Sequence, residues 1–316
     1  MDLDPDWDDD DIAEVMVLSH NLKHWPTRLP TIAEELDTPS FIASSGSDHT
    51  RHTPPCATLA DFEIIATSEY PKKCRRRSGS KFYVIKSLAS GMLAEKLVME
   101  SIREIDSPFL DRLRWAFSVP GDCTYLVLDF HSEVTVATIV QDNPLNTVEA
   151  MFFACELVEG IGSLHLANIA HRDITPANVL IDRTGHVVLS DFSNAVFLSG
   201  SPPCHDCPPL SSAVEFQAPE ITWTHNLAVD CWSFGLLLHF MLTGRNPVVD
   251  HNLALPIRSQ VLDGHPKIQE ALPFEATDLI IKCLERNPIF RLSITKIRDH
   301  SYFFNTDWED VRAKRI

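Results

Sequence analysis

His171-Arg172-Asp173-Ile174-Thr175-Pro176-Ala177-Asn178, followed at a fixed interval by Asp191-Phe192-Ser193, is the stretch on which the fold of this chain turns. Between the two phrases, Val179-Leu180-Ile181-Asp182 and His186-Val187-Val188-Leu189-Ser190 read as short apolar strands joined by Arg183-Thr184-Gly185. Such a hairpin brings its two ends together, so Asn178 and Asp191 are expected side by side with Asp173 close by. Three polar groups would then converge on one point.

Outward from that centre the pattern changes twice. Strand-like segments cover residues 62–66, 81–86 and 124–130, with a helical stretch over 92–105. This is the composition of a small sheet carrying one helix. After His131 the apolar residues recur at helical spacing, over 148–166, 229–242, 256–262 and 276–284, which predicts a larger helical lobe. Residues 1–58 are different again, rich in Asp, Pro, Ser and Thr, with apolar patches too short to offset the entropy of ordering. They are expected to form an acidic, disordered or loosely docked arm, with a protein partner as one use for its charge.

The chain has 316 residues, 44% of them hydrophobic, enough for one two-lobed domain of about 250 residues plus an extension, or for two small domains. The formal charge of −17 is concentrated in the first turns, where Asp2, Asp4, Asp6, Asp8, Asp9, Asp10, Asp11 and Glu14 crowd together. That balance argues against nucleic acid as a general partner. The eight cysteines are scattered, and no apolar run approaches the roughly 20 residues that span a bilayer. The expectation is an intracellular protein, cytoplasmic or nuclear or both, with no membrane partner.

With these landmarks in place, residues 62–308 resemble the eukaryotic protein kinase family, most closely its AGC serine/threonine group. Ala218-Pro219-Glu220, Asp230-Cys231-Trp232-Ser233-Phe234-Gly235 and Arg291 match family motifs in the same order, and Tyr302-Phe303-Phe304-Asn305-Thr306-Asp307-Trp308 is similar to the close of AGC cores. The resemblance implies an α+β bilobal kinase fold, with a β-rich N-lobe over 59–130, an α-helical C-lobe over 131–305 and a short tail over 306–316. It implies ATP and Mg²⁺ as cofactors and a protein substrate. Asp173 would orient or deprotonate the substrate hydroxyl, Asn178 and Asp191 would hold metal, and Lys86 would hold the α and β phosphates. Val84, Leu128, Leu180 and the backbone of Asp129 to His131 would surround the base.

The same resemblance exposes departures. Gly79 is the one glycine between Phe62 and Lys86, so the glycine-rich loop over the phosphates is degenerate and Thr67-Ser68-Glu69-Tyr70-Pro71 would crowd them. Alignment puts Val98 where the family has the glutamate that pairs with Lys86. Glu95 and Glu100 flank it, and either one reaches Lys86 or both are simply solvated. Lys72-Lys73-Cys74-Arg75-Arg76-Arg77 reads as a solvated strand, with phosphate contact or nuclear import as alternatives. Val84 stands for a small alanine. Thr175 and Ala213 replace a lysine and a threonine used on substrate, and Ala177 and Phe240 stand where basophilic relatives carry acids, so no arginine-rich consensus carries over. Ser199, Ser201, Ser211 and Ser212 are candidate phosphorylation sites within reach of Arg172, and Cys204-His205-Asp206-Cys207 has half the spacing of a zinc site. Two functions follow from the residues: an active kinase, or a pseudokinase that binds without transferring phosphate. Ala218-Pro219-Glu220 with Arg291 argues against a small-molecule kinase, because that pairing anchors a platform for protein substrates.

Overall fold

The computed structural model describes residues 57–65, 72–88, 93–119, 123–198, 213–223, 225–268 and 271–315. Residues 1–56 of the acidic arm, the loop 67–71, the candidate serines and the Cys204/Cys207 pair lie outside them.

The first lobe is a five-stranded antiparallel sheet in the order β1-β2-β3-β5-β4: β1 Phe62–Ile64, β2 Lys72–Arg76, β3 Phe82–Leu88, β4 Leu113–Ser118 and β5 Thr124–Asp129. β-Branched and aromatic residues fill its central strands, which suits a pleated surface packed on both sides. On the outer face Phe62, Cys74, Ile85 and Val127 form a small core, walled by Tyr83, Trp115, Phe117 and Tyr125. The basic strand β2 is therefore not simply solvated: Cys74 is fully buried within it, Lys73 is buried, and Arg76 lies over the Trp115 ring. Alternation explains the outcome, since a strand paired on both edges must turn every second side chain inward whatever its charge.

On the other face sits α1, Leu93–Ile102, shorter at its end than the stretch to 105 expected from the sequence. Glu95, Val98, Met99 and Ile102 are its buried residues among those described. The spacing i, i+3, i+4, i+7 is one helical face, so Glu95 extends the apolar stripe by one turn while Glu100 points out.

The second lobe is helical: α2 Val136–Asp142, α3 Thr147–Leu166, α4 Ala228–Thr243, α5 Ile257–Asp263, α6 Phe274–Cys283, α7 Ile294–Arg298 and α8 Trp308–Arg312. Asn146 caps α3 by accepting from the N–H groups of Val148 and Glu149, and Glu149 returns a bond to the Asn146 N–H at 2.9 Å. α4 is buried on nearly all sides, with Trp232, Phe234 and Leu236 to Leu238 sealed from solvent. α4 and α6 approach closely at Gly235, where a Cβ would stand 2.6 Å from the Cβ of Cys283 on α6. Residues 308–315 fold back on α3 through Arg312 to Glu159 at 3.0 Å and on the end of the strand Val179–Ile181 through Lys314 to Asp182 at 2.7 Å, with Val311 fully buried. Among the described residues no helix is long and apolar enough to cross a membrane.

Short strands at the lobe junction carry the motifs. β6 Ile169–Ala170 pairs with β9 Val196–Phe197, and β7 Val179–Ile181 with β8 Val187–Leu189. The β7–β8 hairpin is the one expected from the sequence.

Candidate active site

Two buried groups set the loop between β6 and β7. Asp230, in the first turn of α4 and fully buried, accepts from the backbone N–H groups of His171 at 2.9 Å and Arg172 at 2.8 Å, and bonds His165 Nε2 at 2.9 Å. Burial works to raise its pKa, but His165 and these donors outweigh burial and hold the carboxyl below its ordinary value. The bonds matter because Arg172 has φ of +67°, a left-handed conformation that costs a side-chain-bearing residue about 1–2 kcal/mol. Asp230 was legible as part of a motif, but its role as anchor of Asp173's loop was not. The second group is His171, whose ring bonds the Ser190 carbonyl at 3.0 Å and packs against Phe192, tying the loop to the end of β8.

The expected polar groups are then brought together. Asn178 Nδ2 donates to the Asp173 carbonyl at 2.9 Å, and the Ser190 N–H and hydroxyl both donate to the Asn178 carbonyl at 2.9 Å. Asp173 Oδ2 accepts from Asn194 Nδ2 at 3.2 Å. Asn194 is a residue that sequence reading missed; its only signal was a position three after Asp191. Asp191 itself has φ of +59° and caps the short 3-10 turn Phe192–Asn194 by accepting from the Ser193 N–H.

Lys86 reaches this cluster from β3. Its Nζ lies 2.7 Å from Glu95 Oε1 and 2.9 Å from Asp191 Oδ1, closing a contact between residues 105 apart in sequence. Burial opposes the ammonium, but the two carboxylates outweigh it and hold Lys86 above its ordinary pKa. Burial likewise opposes the Asp191 carboxylate, and Lys86 with Ser193 lowers its pKa despite that. The glutamate question left open by the sequence thus resolves on Glu95. Val98 is core, and Glu100 pairs with Lys96 at 3.6 Å on the exposed side of α1. The helix is placed one turn differently from the alignment, because the apolar stripe fixes its rotation.

The remaining expected base-binding residues lie on β3, β5, β7 and the segment after β5. Val84 sits opposite Leu128 in the β3–β5 ladder. Leu180 pairs with Val188 and bridges to Thr135. Asp129 is held by Arg114 and by Lys81 at 2.8 Å, and the His131 ring lies 3.1 Å from Asp111 Oδ1. Thr175 is buried, Ala177 and Ala213 are exposed, and Phe240 packs against Phe216. Arg291, whose side chain is fully buried, grips Glu220 through both guanidinium nitrogens, at 2.5 and 3.1 Å, while stacking 5.0 Å from the Trp232 ring.

Comparison with known proteins agrees with this geometry. The model of the protein kinase domain matches residues 70–303. The chain is 30% identical over 280 residues to the serine/threonine-protein kinase gad8 of Schizosaccharomyces pombe, covering 82% of this chain and 48% of that protein. It is 33% identical over 232 residues to ribosomal protein S6 kinase beta of Caenorhabditis elegans, covering 71% and 41%, and 29% identical over 284 residues to human Sgk2, covering 83% and 76%. It therefore spans less than half the length of the first two. The chain belongs to the protein kinase domain family, and its resemblance is to AGC-group members.

Proposed function

We propose that this member of the protein kinase domain family is an ATP-dependent protein serine/threonine kinase. The observation that carries the reading is the double grip on Lys86 by Glu95 and Asp191, which presents one ammonium to the phosphates of a nucleotide and fixes α1 against the sheet. Phosphoryl transfer needs mostly positioning and charge stabilisation, and this arrangement supplies both.

The donor set fits Mg²⁺. Asn178 spends its amide N–H on the Asp173 carbonyl, which leaves its side-chain oxygen for a cation, and Asp191 is held ionised. Asn178 and Asp191 would hold the ion, which when bound neutralises phosphate charge. Asp173, steadied by Asn194, would accept the hydrogen bond of a substrate hydroxyl and take its proton as the hydroxyl oxygen bonds to the γ-phosphorus and the bond from that phosphorus to the β–γ bridging oxygen breaks, releasing ADP. Leu128, Leu180, Val84 and the segment from Asp129 to His131 would surround the base. The domain assignment from 59 to 305 follows the same reading.

The rival reading, a pseudokinase, drew on the missing glycines, the misplaced glutamate, Thr175 and Ala213. Glu95 on Lys86 removes the second of these supports. Transfer of ³²P from γ-labelled ATP with Mg²⁺, to itself or to a protein mixture, tests the proposal. Label lost in Asp173→Asn is the expected result; no label from the wild-type protein on any substrate, with Mg²⁺-dependent ATP binding intact, supports the pseudokinase.

A further inference from the structure

The base end of the cleft is built from unusual side chains. In the β2–β3 ladder Lys73 stands directly opposite Val84, and paired residues of an antiparallel ladder project to the same face. Val84 and Lys86 are two apart on β3, so they share that face as well. Lys73 is 6% exposed, and its Nζ lies 4.8 Å from the centre of the Phe82 ring and 4.7 Å from that of Phe130, the residue between Asp129 and His131. A buried ammonium thus lies beside the hinge residue Phe130, on the sheet face that carries Val84 and Lys86.

The inner wall is charged too. The Asp111 N–H donates to the Leu189 carbonyl at 3.0 Å, and the neighbouring Arg112 carbonyl accepts from the Asp129 N–H at 3.3 Å, so Asp111 sits where β5, the hinge and β8 meet. Its Oδ1 accepts from the Arg112 N–H at 2.8 Å and faces His131 Nε2 at 3.1 Å. Side-chain exposure is 7% for Asp111 and 18% for His131. Charged groups this buried resist losing their remaining water to a flat apolar ring. An adenine slot gains its affinity from apolar contact on both faces. Guanine differs at its edge by an acceptor O6 and a donor N2. A lysine and a carboxylate are the partners those two groups need.

We propose that Lys73, Asp111 and His131 make the base end of this cleft a polar slot, so that nucleoside triphosphates are held chiefly through their phosphates and GTP is accepted about as well as ATP. The inference rests on the kinase reading of Lys86 and Asp191. It makes Lys73, Asp111 and His131 specificity-determining residues.

Competition against a fluorescent nucleotide in the presence of Mg²⁺, using ATP, GTP and inorganic tripolyphosphate, tests it. In the wild-type protein ATP and GTP are expected within about threefold of each other, and tripolyphosphate within about tenfold of both. Lys73→Val, and separately the double variant Asp111→Val/His131→Val, are expected to tighten ATP by about tenfold and leave tripolyphosphate within about twofold. A wild-type preference for ATP over GTP beyond about tenfold, or ATP binding unmoved by Lys73→Val, overturns the proposal. Lys73→Val decides alone if the double variant does not fold. Lys86→Met separates the two readings: an equal loss for all three ligands is expected, whereas no loss refutes the phosphate site while leaving the base comparison readable.

Discussion

Glu95→Gln removes one of the two carboxylates on Lys86 and leaves the other, at nearly the same size and shape. Gln can still accept a hydrogen bond from Nζ, so the loss is the charge. Hydrogen bonds to charged groups contribute about 1.5–3 kcal/mol. The pair is neither exposed nor sealed, with the Glu95 side chain 3% accessible and that of Lys86 20%, and Asp191 still holds the ammonium at 2.9 Å. The lower part of the range applies, about 1.5–2 kcal/mol, or about a 10- to 30-fold loss in kcat/KM for autophosphorylation. Glu100→Gln is the matched control. Its carboxylate is 44% exposed and 3.6 Å from Lys96, a surface pair of the kind that contributes about 0–1 kcal/mol to stability, so kcat/KM is expected to stay within about twofold. Circular dichroism establishes that both variants fold. Equal losses in the two variants, or a silent Glu95→Gln, would refute the pairing as the element that positions Lys86.

Three further outcomes are expected. Glu220→Gln leaves a fully buried guanidinium without its counter-charge and is expected to cost about 3–5 kcal/mol in urea unfolding, with most of it recovered in Glu220→Leu/Arg291→Met; no recovery would contradict the ion-pair account. Gly235→Ala places a methyl 2.6 Å from Cys283 Cβ, so overpacking of about 1–3 kcal/mol should exceed the roughly 1 kcal/mol of helix propensity that alanine adds; Cys283→Gly in the same chain should relieve the clash, as read from thermal melts. Burial disfavours the charged His131 ring, but Asp111 outweighs burial, with Asp129 and Asp182 adding to it, and holds the ring above its ordinary value of 6.5. Burial also raises Asp111, against the opposing pull of the ring. The stability this gives is fully present below about pH 6.5 and lost as pH rises through the folded value, so the gap in unfolding free energy between wild type and Asp111→Asn should narrow with rising pH. A gap that widens would contradict the assignment.

Much of the fold was legible because its signals are local. The β7–β8 hairpin was readable from two apolar runs around Arg183-Thr184-Gly185, and the long helices from their spacing. β4 went unnoticed although Leu113, Trp115 and Phe117 alternate along it and Pro120-Gly121-Asp122 gives a turn signal before β5. Glu95 was legible in principle: running the stripe Val98, Met99, Ile102 back one turn lands on it. Counting from a downstream motif instead placed Val98 in its position, since loop length carries no information about helix rotation.

The amino-acid sequence by itself determined the two-lobed class, the loop that carries Asp173 and Asn178, and the turn that carries Asp191, because each depends on residues within one or two turns of chain. Tertiary structure decided which carboxylate Lys86 meets, that Asp230 holds the left-handed Arg172, and that Lys73 is buried opposite Val84 rather than solvated. Those outcomes follow from strand register and helix rotation. Both are set by burial summed over the whole core, and no short stretch of sequence contains that sum.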